Sequence, residues 1–435
     1  MNSDGLAKEV RRTANRVSVP AKYVFKEITD LSEDGSETLL SVSEYYGVSP
    51  RAEHIDSSEH LTRAESLIGY KRCRPGDLVM NIMLAWKRAL GASDYGGIVS
   101  PAYAVFRPDT THINPRFMHY LLRDDLYVSE FMRHSTGVVD SRLRLYPEVF
   151  LGIQLILPAL SEQTRIANFL DEQTARIDAL IAEKERLDGL LGEYRASLIS
   201  AAVTGQVDLG TGATLPRAHV GAGGVSRWPT TRLRYIADLN PAARPELLRA
   251  PETEVSFLPM EAIGEDGSLN LERTRPVSDV RNGYSYFEEG DVAFAKVTPC
   301  FENGKGALMS GLEGAAGFGT TELTVLRPKQ GTAARFLHYV VQSSIFRQFG
   351  AAAMTGAGGL KRVPDEFTRD FTTPWPPFVE QTRIANFLEE QTARIDALRG
   401  HCKGHITRLR EYRSSLVSAA VTGQLDIDKF KRSAT

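Results

Sequence analysis

The 435-residue sequence has little cysteine, no excess of either charge and no long apolar run, and each absence removes a class of protein. The three cysteines, Cys73, Cys300 and Cys402, form no CxxC pair, so neither a disulfide scaffold nor a structural zinc site is expected. With 52 Lys and Arg against 54 Asp and Glu, no global basic field announces nucleic acid or an anionic membrane, and any anion-binding surface has to be local. Nowhere do about 18 apolar residues follow one another. The polar start MNSDGLAKEVRRTANRVSVP has no apolar secretion core. A reduced, cytoplasmic protein is the expectation.

Catalytic signatures are missing too. No phosphate loop GxxxxGK[ST] is present: Gly304-Lys305 lacks the upstream glycine and is followed by Gly306. No GxGxxG opens a helix after a strand, so no dinucleotide or adenosyl-cofactor site is visible. Trp375-Pro376-Pro377-Phe378 is superficially like the Asn/Asp-Pro-Pro-aromatic motif of amino-methyltransferases, but Trp375 stands where an amide or carboxylate has to hold the target amino group. It reads as a proline-rich lead into a helix. The nine histidines show no HExxH spacing. His119 and His338 recur beside Tyr120 and Tyr339 without a Ser or Cys partner, and read as satisfied helix residues. Pro364-Asp365-Glu366 is followed by no carboxylate-x-Lys, so a nuclease motif is not made. No catalytic and no metal-binding residue is assigned.

What is present is a repeat. Glu162 to Leu209 recurs from Glu380 to Ile427 at an offset of 218 residues, and 32 of the 48 paired positions are identical. EQTRIANFL and EQTARIDAL match completely, whereas Ile181 to Gly192 and Arg399 to Arg410 share only a leucine. Fainter echoes precede each block: Gly76-Asp77 with Gly290-Asp291, Arg107-Pro108 with Arg327-Pro328, and Thr136-Gly137 with Thr355-Gly356. Two units of this size indicate a duplicated domain and not a solenoid, which needs more and shorter repeats.

Within the first block, Ile166, Leu170, Gln173, Ile177, Leu180, Lys184, Leu187, Leu191, Tyr194 and Leu198 fall at steps of four and three, a heptad pattern. The second block gives Ile384, Leu388, Gln391, Ile395, Leu398, Cys402, His405, Leu409, Tyr412 and Leu416. Ser161 with Thr164 is read as the first helix cap, and Thr204-Gly205 and Thr422-Gly423 as the two ends. At about 1.5 Å per residue, some 42 residues make a rod of roughly 63 Å. Two readings stay open here: the helices pair with each other, or each packs on its own globular segment. The globular segments show strand-like runs (77–82, 102–106, 291–295, 321–326) followed by short helices around 115–133 and 333–349, an α/β pattern with a curved sheet.

Four polar loops suit DNA: Asn81 to Arg88 with Asn81, Trp86, Lys87 and Arg88; Asp140 to Arg144 with Arg142 and Arg144; Lys296 to Lys305 with Lys296, Thr298, Asn303 and Lys305; and Gly358 to Arg362 with Lys361 and Arg362. Arg and Lys suit phosphate and guanine, Asn suits adenine, and an exposed Trp86 or Phe301 suits a thymine methyl or a splayed base. An ordinary solvated turn explains any one of these loops equally well.

Taken together, GDLVMNIMLAWKRALGASDYGGIVSPAYAVFRP, GDVAFAKVTPCFENGKGALMSGLEGAAGFGTTELTVLRP, the two EQTRIANFL helices and their SLISAAVTGQ-type ends resemble the specificity subunit of type I restriction-modification systems over nearly the whole chain. The first domain lacks the Pro-x-x-Trp start that Ser226 to Leu233 approximates in the second. The resemblance implies two target recognition domains (1–158 and 228–377), two conserved spacer helices (159–206 and 378–427) pairing as an antiparallel coiled coil, a linker (207–227) and a C-terminal tail (428–435). It implies that each domain reads one half of a bipartite, asymmetric duplex DNA target while the paired helices set the spacer. It further implies no catalysis and no cofactor in this chain: two modification subunits methylate adenine with S-adenosylmethionine, and restriction subunits join through them. A coiled-coil protein-binding adaptor and a self-contained methyltransferase-nuclease are the competing classes. Tight adenosylmethionine binding by this chain alone would favour the latter, and failure to retain duplex DNA even beside its partners would favour the former.

Overall fold

The computed structural model describes residues 16–45, 47–54, 66–139, 142–210, 228–356 and 359–433. Two compact units emerge, residues 1–183 with 405–435, and residues 184–404. Each unit holds one globular domain and a part of both long helices, Leu160–Val203 and Phe378–Thr422.

Both domains are built on one antiparallel four-stranded sheet. In the first the order is Phe25–Glu27, Tyr103–Pro108, Leu78–Asn81, Leu90–Ala92; in the second it is Ala237–Leu239, Leu323–Pro328, Val292–Ala295, Gly306–Leu308. Leu78–Asn81 and Val292–Ala295 are buried along their whole length, so they read as continuous apolar runs without alternation. Asp77 and Asp291, at the head of these strands, are buried and accept two hydrogen bonds each, from Arg107 (3.0 and 2.9 Å) and Arg327 (2.9 and 2.7 Å). The faint Gly-Asp and Arg-Pro echoes are therefore the two ends of one internal ion pair. A short strand at the front of each domain, Val17–Pro20 or Thr230–Arg232, pairs with one at its back, Gln154–Leu157 or Thr372–Pro374. Each domain thus closes on itself before its long helix begins. The second domain adds a four-stranded sheet (Thr274–Pro276, Glu254–Leu258, Ala316–Gly319, Ser285–Glu288) that contains the one parallel pair among the described strands.

The short helices expected in each domain are two, Pro115–Leu122 with Asp125–His134, and Ala334–Gln342 with Ser344–Ala353. Asp124 and Ser343 break them: each side chain accepts from a backbone N–H of the following helix, Leu126 at 3.0 Å and Phe346 at 3.2 Å, and starts a new helix there.

The long helices end as their Thr-Gly pairs suggested. Gly205 (φ +79) and Gly423 (φ +81) take the left-handed conformation, and Gln206 and Gln424 reach back to the carbonyls of Ala201 and Ala419 at 2.7 and 2.8 Å. The start differs from expectation. The helix begins at Leu160, so Ser161 lies inside the first turn, and the Thr164 hydroxyl donates to the Leu160 carbonyl instead of capping.

The heptad assignment is corrected more deeply. Ile166, Leu170, Ile177 and Leu198 are buried, and so are Ile384, Leu388, Ile395 and Leu416, but Leu180, Leu187, Tyr194, Leu398 and Tyr412 are exposed and Leu191 and Leu409 only half-buried. The inward face instead follows an eleven-residue step: buried Ile166, Ile177 and Ile199 with half-buried Asp188 on the first helix, and buried Ile384, Ile395, Ile406 and Val417 on the second. Eleven residues over three turns, about 3.67 per turn, is nearly the period of a straight α-helix. A strict heptad drifts around the helix by about 20° per repeat, and so reaches solvent by Leu180. In the same way the buried polar residues of this layer are Thr174 and Thr392, not their neighbours Gln173 and Gln391.

The helices pair with each other and run antiparallel. In the first unit Asp178 pairs with Arg413 (2.8 Å); in the second Asp188 pairs with Arg399 (2.9 Å) and Arg195 with Asp396 (3.0 Å). Each helix is also docked on the domain before it. Buried Gln163 accepts from Asn114 N at 2.9 Å and donates to His112 O and Pro158 O at 3.0 and 2.9 Å. Gln381 repeats this with Ala333, Gly331 and Pro376. The segment read as a tail is a helix, Ile427–Ser433, whose Ile427 is buried and whose Phe430 meets Phe169 edge-on at 5.2 Å. Most of the expected linker, 211–227, lies outside the described residues.

Candidate nucleic-acid interface

The four loops chosen from sequence come together as two pairs, one in each domain. In the first, the loop after Leu78–Asn81 meets the segment before Leu145, whose N–H donates to Ile82 O at 2.8 Å, while Thr136 and Arg144 exchange two backbone bonds of 3.0 Å. In the second, the loop after Val292–Ala295 meets the equivalent segment: Val363 N donates to Lys296 O (2.8 Å), Thr298 N to Lys361 O (3.1 Å), and Thr355 and Arg362 exchange bonds of 3.0 and 2.8 Å. The recurring Thr-Gly dipeptides open this crossing in both halves.

On that shared frame the side chains differ. Lys87, Arg142, Arg144, Asn303, Lys361 and Arg362 are exposed; Trp86, Arg88, Lys296, Thr298 and Lys305 are half-buried. The Trp86 indole donates to Met83 O at 3.0 Å, and the Lys87 ammonium sits 5.0 Å from its ring centroid. Arg88 takes a left-handed conformation (φ 66) and is committed to Arg123 O and the Asp125 carboxylate. Arg362 lies 3.6 Å from Glu322. Asp140, Ser141, Ala357 and Gly358 of these loops fall outside the described residues.

Two expectations fail here. Asn81 is buried and its side-chain oxygen accepts from Met83 N at 3.1 Å, so it shapes the turn from within. Phe301 is buried against Phe294 and Phe346 at 6.0 and 5.9 Å, which withdraws it from any splayed base. Asn303 and Lys305 also stand apart from the paired loops: with Gln342, Arg347 and Arg195 they line a separate cavity of about 670 Å³. The sequence reading in turn passed over Val138 and Leu360, exposed at 93% and 60% at the tips of the paired segments. Their signal was an apolar residue directly after a loop glycine, Gly137-Val138 and Gly359-Leu360, a position suited to a thymine methyl.

The groups that looked titratable in sequence are structural. His119 is half-buried and His338 buried, their rings against Gly47 and Gly91 and against Gly267, and neither Nδ1 has a hydrogen-bond partner. Burial, helped by Arg123 and Arg116 for His119 and by Arg195 and Arg335 for His338, lowers both, His338 to about 4. Burial pushes the Cys73 thiol up to about 11, away from the thiolate. Among the described residues no group of three or more His, Cys, Asp or Glu is placed to hold a metal ion, and no helix is long and apolar enough to cross a membrane.

No family model matches the chain. The EcoAI type I restriction enzyme specificity subunit of Escherichia coli is 43% identical over 160 residues, 36% of this chain and 26% of that subunit, so this match spans about a quarter of the relative's length. The StySPI specificity subunit of Salmonella potsdam is 22% identical over 368 residues, 82% of this chain and 76% of its own. A solved chain from work on complex assembly and conformational transition of the type I R-M system superposes with a TM-score of 0.63 at 16% identity, covering 95% of this chain and 99% of that one. The repeated domain-and-helix order and the paired long helices agree with these likenesses, and the chain is similar to the specificity subunits of type I restriction enzymes.

Proposed function

We propose that this chain is the non-catalytic, sequence-reading subunit of a type I restriction-modification complex, working in the cytoplasm on duplex DNA with an asymmetric, bipartite target. Each domain reads one half, with Trp86, Lys87, Arg142 and Arg144 in the first, and Lys296, Thr298, Lys361 and Arg362 in the second, facing phosphates or base edges. Two modification subunits that methylate adenine from S-adenosylmethionine are its partners, and restriction subunits join through them. One observation carries the reading: both domains join their two loops by the same backbone crossing, yet present different side chains on it. A reader of two unlike half-sites needs one frame with two faces.

Exchanging residues 228–377 for the corresponding domain of a relative, and mapping methylated adenines across a genome, tests this. One half of the methylated sequence is expected to change while the other stays; change in both halves would sink the modular reading. The helix pair sets the spacer in the same proposal. Because its buried face repeats every eleven residues, eleven residues inserted into each helix keep that face intact. They lengthen the pair by about 16 Å, about five base pairs at ~3.4 Å each. A spacer that does not lengthen refutes that part.

A further inference from the structure

In the second domain a cleft of about 330 Å³ opens between the two four-stranded sheets, beside the paired loops. Its floor is apolar and buried: Phe318 of one sheet with Leu323 and Val325 of the other. Its rim is aromatic and basic, with Tyr284, Lys296 and Arg281, and no carboxylate lines it. Among the described residues neither Lys296 nor Arg281 has an acidic partner, in a chain whose surface arginines are otherwise mostly paired. Tyr284 is 42% exposed but not loose, since Phe257 meets it edge-on at 5.1 Å and 86°, and Arg275 stacks on that same Phe257 at 4.9 Å. Asn240 is already committed, accepting from Val325 N at 2.9 Å.

An apolar slot with a braced aromatic face and two uncompensated cations fits a planar ring that carries a negative group. Its volume is at the lower end of small-ligand pockets, roughly 300–1,000 Å³. We propose that this cleft binds a nucleotide, its base stacked on Tyr284 and its phosphate neutralised by Lys296 and Arg281. Base–aromatic stacking is indifferent to sequence, because every base has a π-face, so the cleft captures a nucleotide without reading it. The nucleotide comes either from solution or from DNA, where only an unpaired base exposes its face. The DNA source rests on the proposed reading of duplex DNA; the free source does not.

The full chain is tested with adenosine monophosphate by calorimetry, and with two labelled duplexes that differ by a single extrahelical adenosine. The expected results are adenosine monophosphate binding weakened about five-fold or more by Tyr284→Ala or Arg281→Ala, and retained by Tyr284→Phe, or the same loss in a preference for the bulged duplex; five-fold corresponds to ~1 kcal/mol of stacking. Both variants change exposed side chains, so folding is not at stake. Nucleotide binding without bulge preference assigns the free source, and bulge preference without nucleotide binding assigns DNA. Absence of both in the unaltered chain, or indifference of both to Tyr284→Ala and Arg281→Ala, overturns the cleft. If the domain exchange nevertheless moves half of the methylated target, sequence reading stands and only the cleft falls.

Discussion

The place where each domain meets the helix pair is built alike in the two units and then diverges one layer further on. Nearest the domain, Asp178 with Arg413 and Asp396 with Arg195 are the same lock, related by the 218-residue offset. In the next layer the first unit has Ile181 and Ile406, both buried in one core cluster, and the second has at the equivalent positions Arg399 and Asp188, an ion pair of 2.9 Å. Duplication has preserved the layer that touches the globular domain and released the layer beyond it. This is also where sequence identity between the blocks collapses. The layer has to keep the helices together, and apolar contact and charge complementarity both do so.

Breaking the apolar version is expected to have the largest effect. Ile406→Asp places a carboxylate among buried aliphatic groups, and should cost about 3–5 kcal/mol by chemical denaturation. Adding Ile181→Arg imports the second unit's solution and should recover at least ~1 kcal/mol as coupling between the two positions. A double variant no better than the sum of its singles would show that the two layers are not interchangeable.

Where the halves agree, they should respond alike to acid. His119 and His338 are held neutral inside, so their folded-state values lie below the ordinary value near 6.5. The unfolded chain then binds more protons between those limits, and stability is whole above about pH 6.5 and lost as pH falls toward 4. For His338, with a folded value of about 4, the loss is on the order of 3 kcal/mol across that range. The melting temperature of His338→Phe should fall less steeply between pH 6.5 and 4 than that of the parent; an unchanged slope would remove this histidine from the account.

The two glutamine docks allow a closer comparison. Gln163→Ala and Gln381→Ala each remove the partner of one part-buried backbone N–H and of two carbonyls, one of them buried, and each should cost about 2 kcal/mol. Equal losses in melting temperature are expected, and a large asymmetry would mean that the two domains hold their helices by different means.

Much of this was legible in the sequence because identity at a fixed offset reports shared contacts. EQTRIANFL is identical in both blocks since Gln163 and Gln381 dock and Ile166 and Ile384 bury, and the Asp of EQTARIDAL is kept because it meets an arginine of the other helix. The loops were located by their charges and turns, and the strands by their continuous apolar runs. What escaped depended on geometry that spacing does not carry. A heptad and an eleven-residue step coincide over Ile166, Leu170 and Ile177, and part only at Leu180, so the shorter period fitted well enough to mislead. Asn81 and Phe301 were chosen for their chemistry in a loop, but loops have an inside, and both side chains turn into it. The breaks at Asp124 and Ser343 were visible as capping residues, yet the apolar period ran on through them.

The smallest effect is expected from the converse exchange, and it bears most directly on why the two units differ. Asp188→Ile with Arg399→Ile gives the second unit the first unit's layer. The ion pair is only partly shielded, with side chains 21% and 29% exposed, so the lost attraction and the recovered desolvation nearly cancel, and the net change should stay within about 1 kcal/mol. Its salt dependence should change more than its size, since a partly exposed pair weakens as the Debye length shrinks from about 10 Å at 0.1 M to about 3 Å at 1 M. The parent should lose stability relative to the double variant as salt rises. Parallel salt curves would mean that Asp188 and Arg399 contribute as packing stems and not as charges, and the contrast between the two layers would then be one of composition alone.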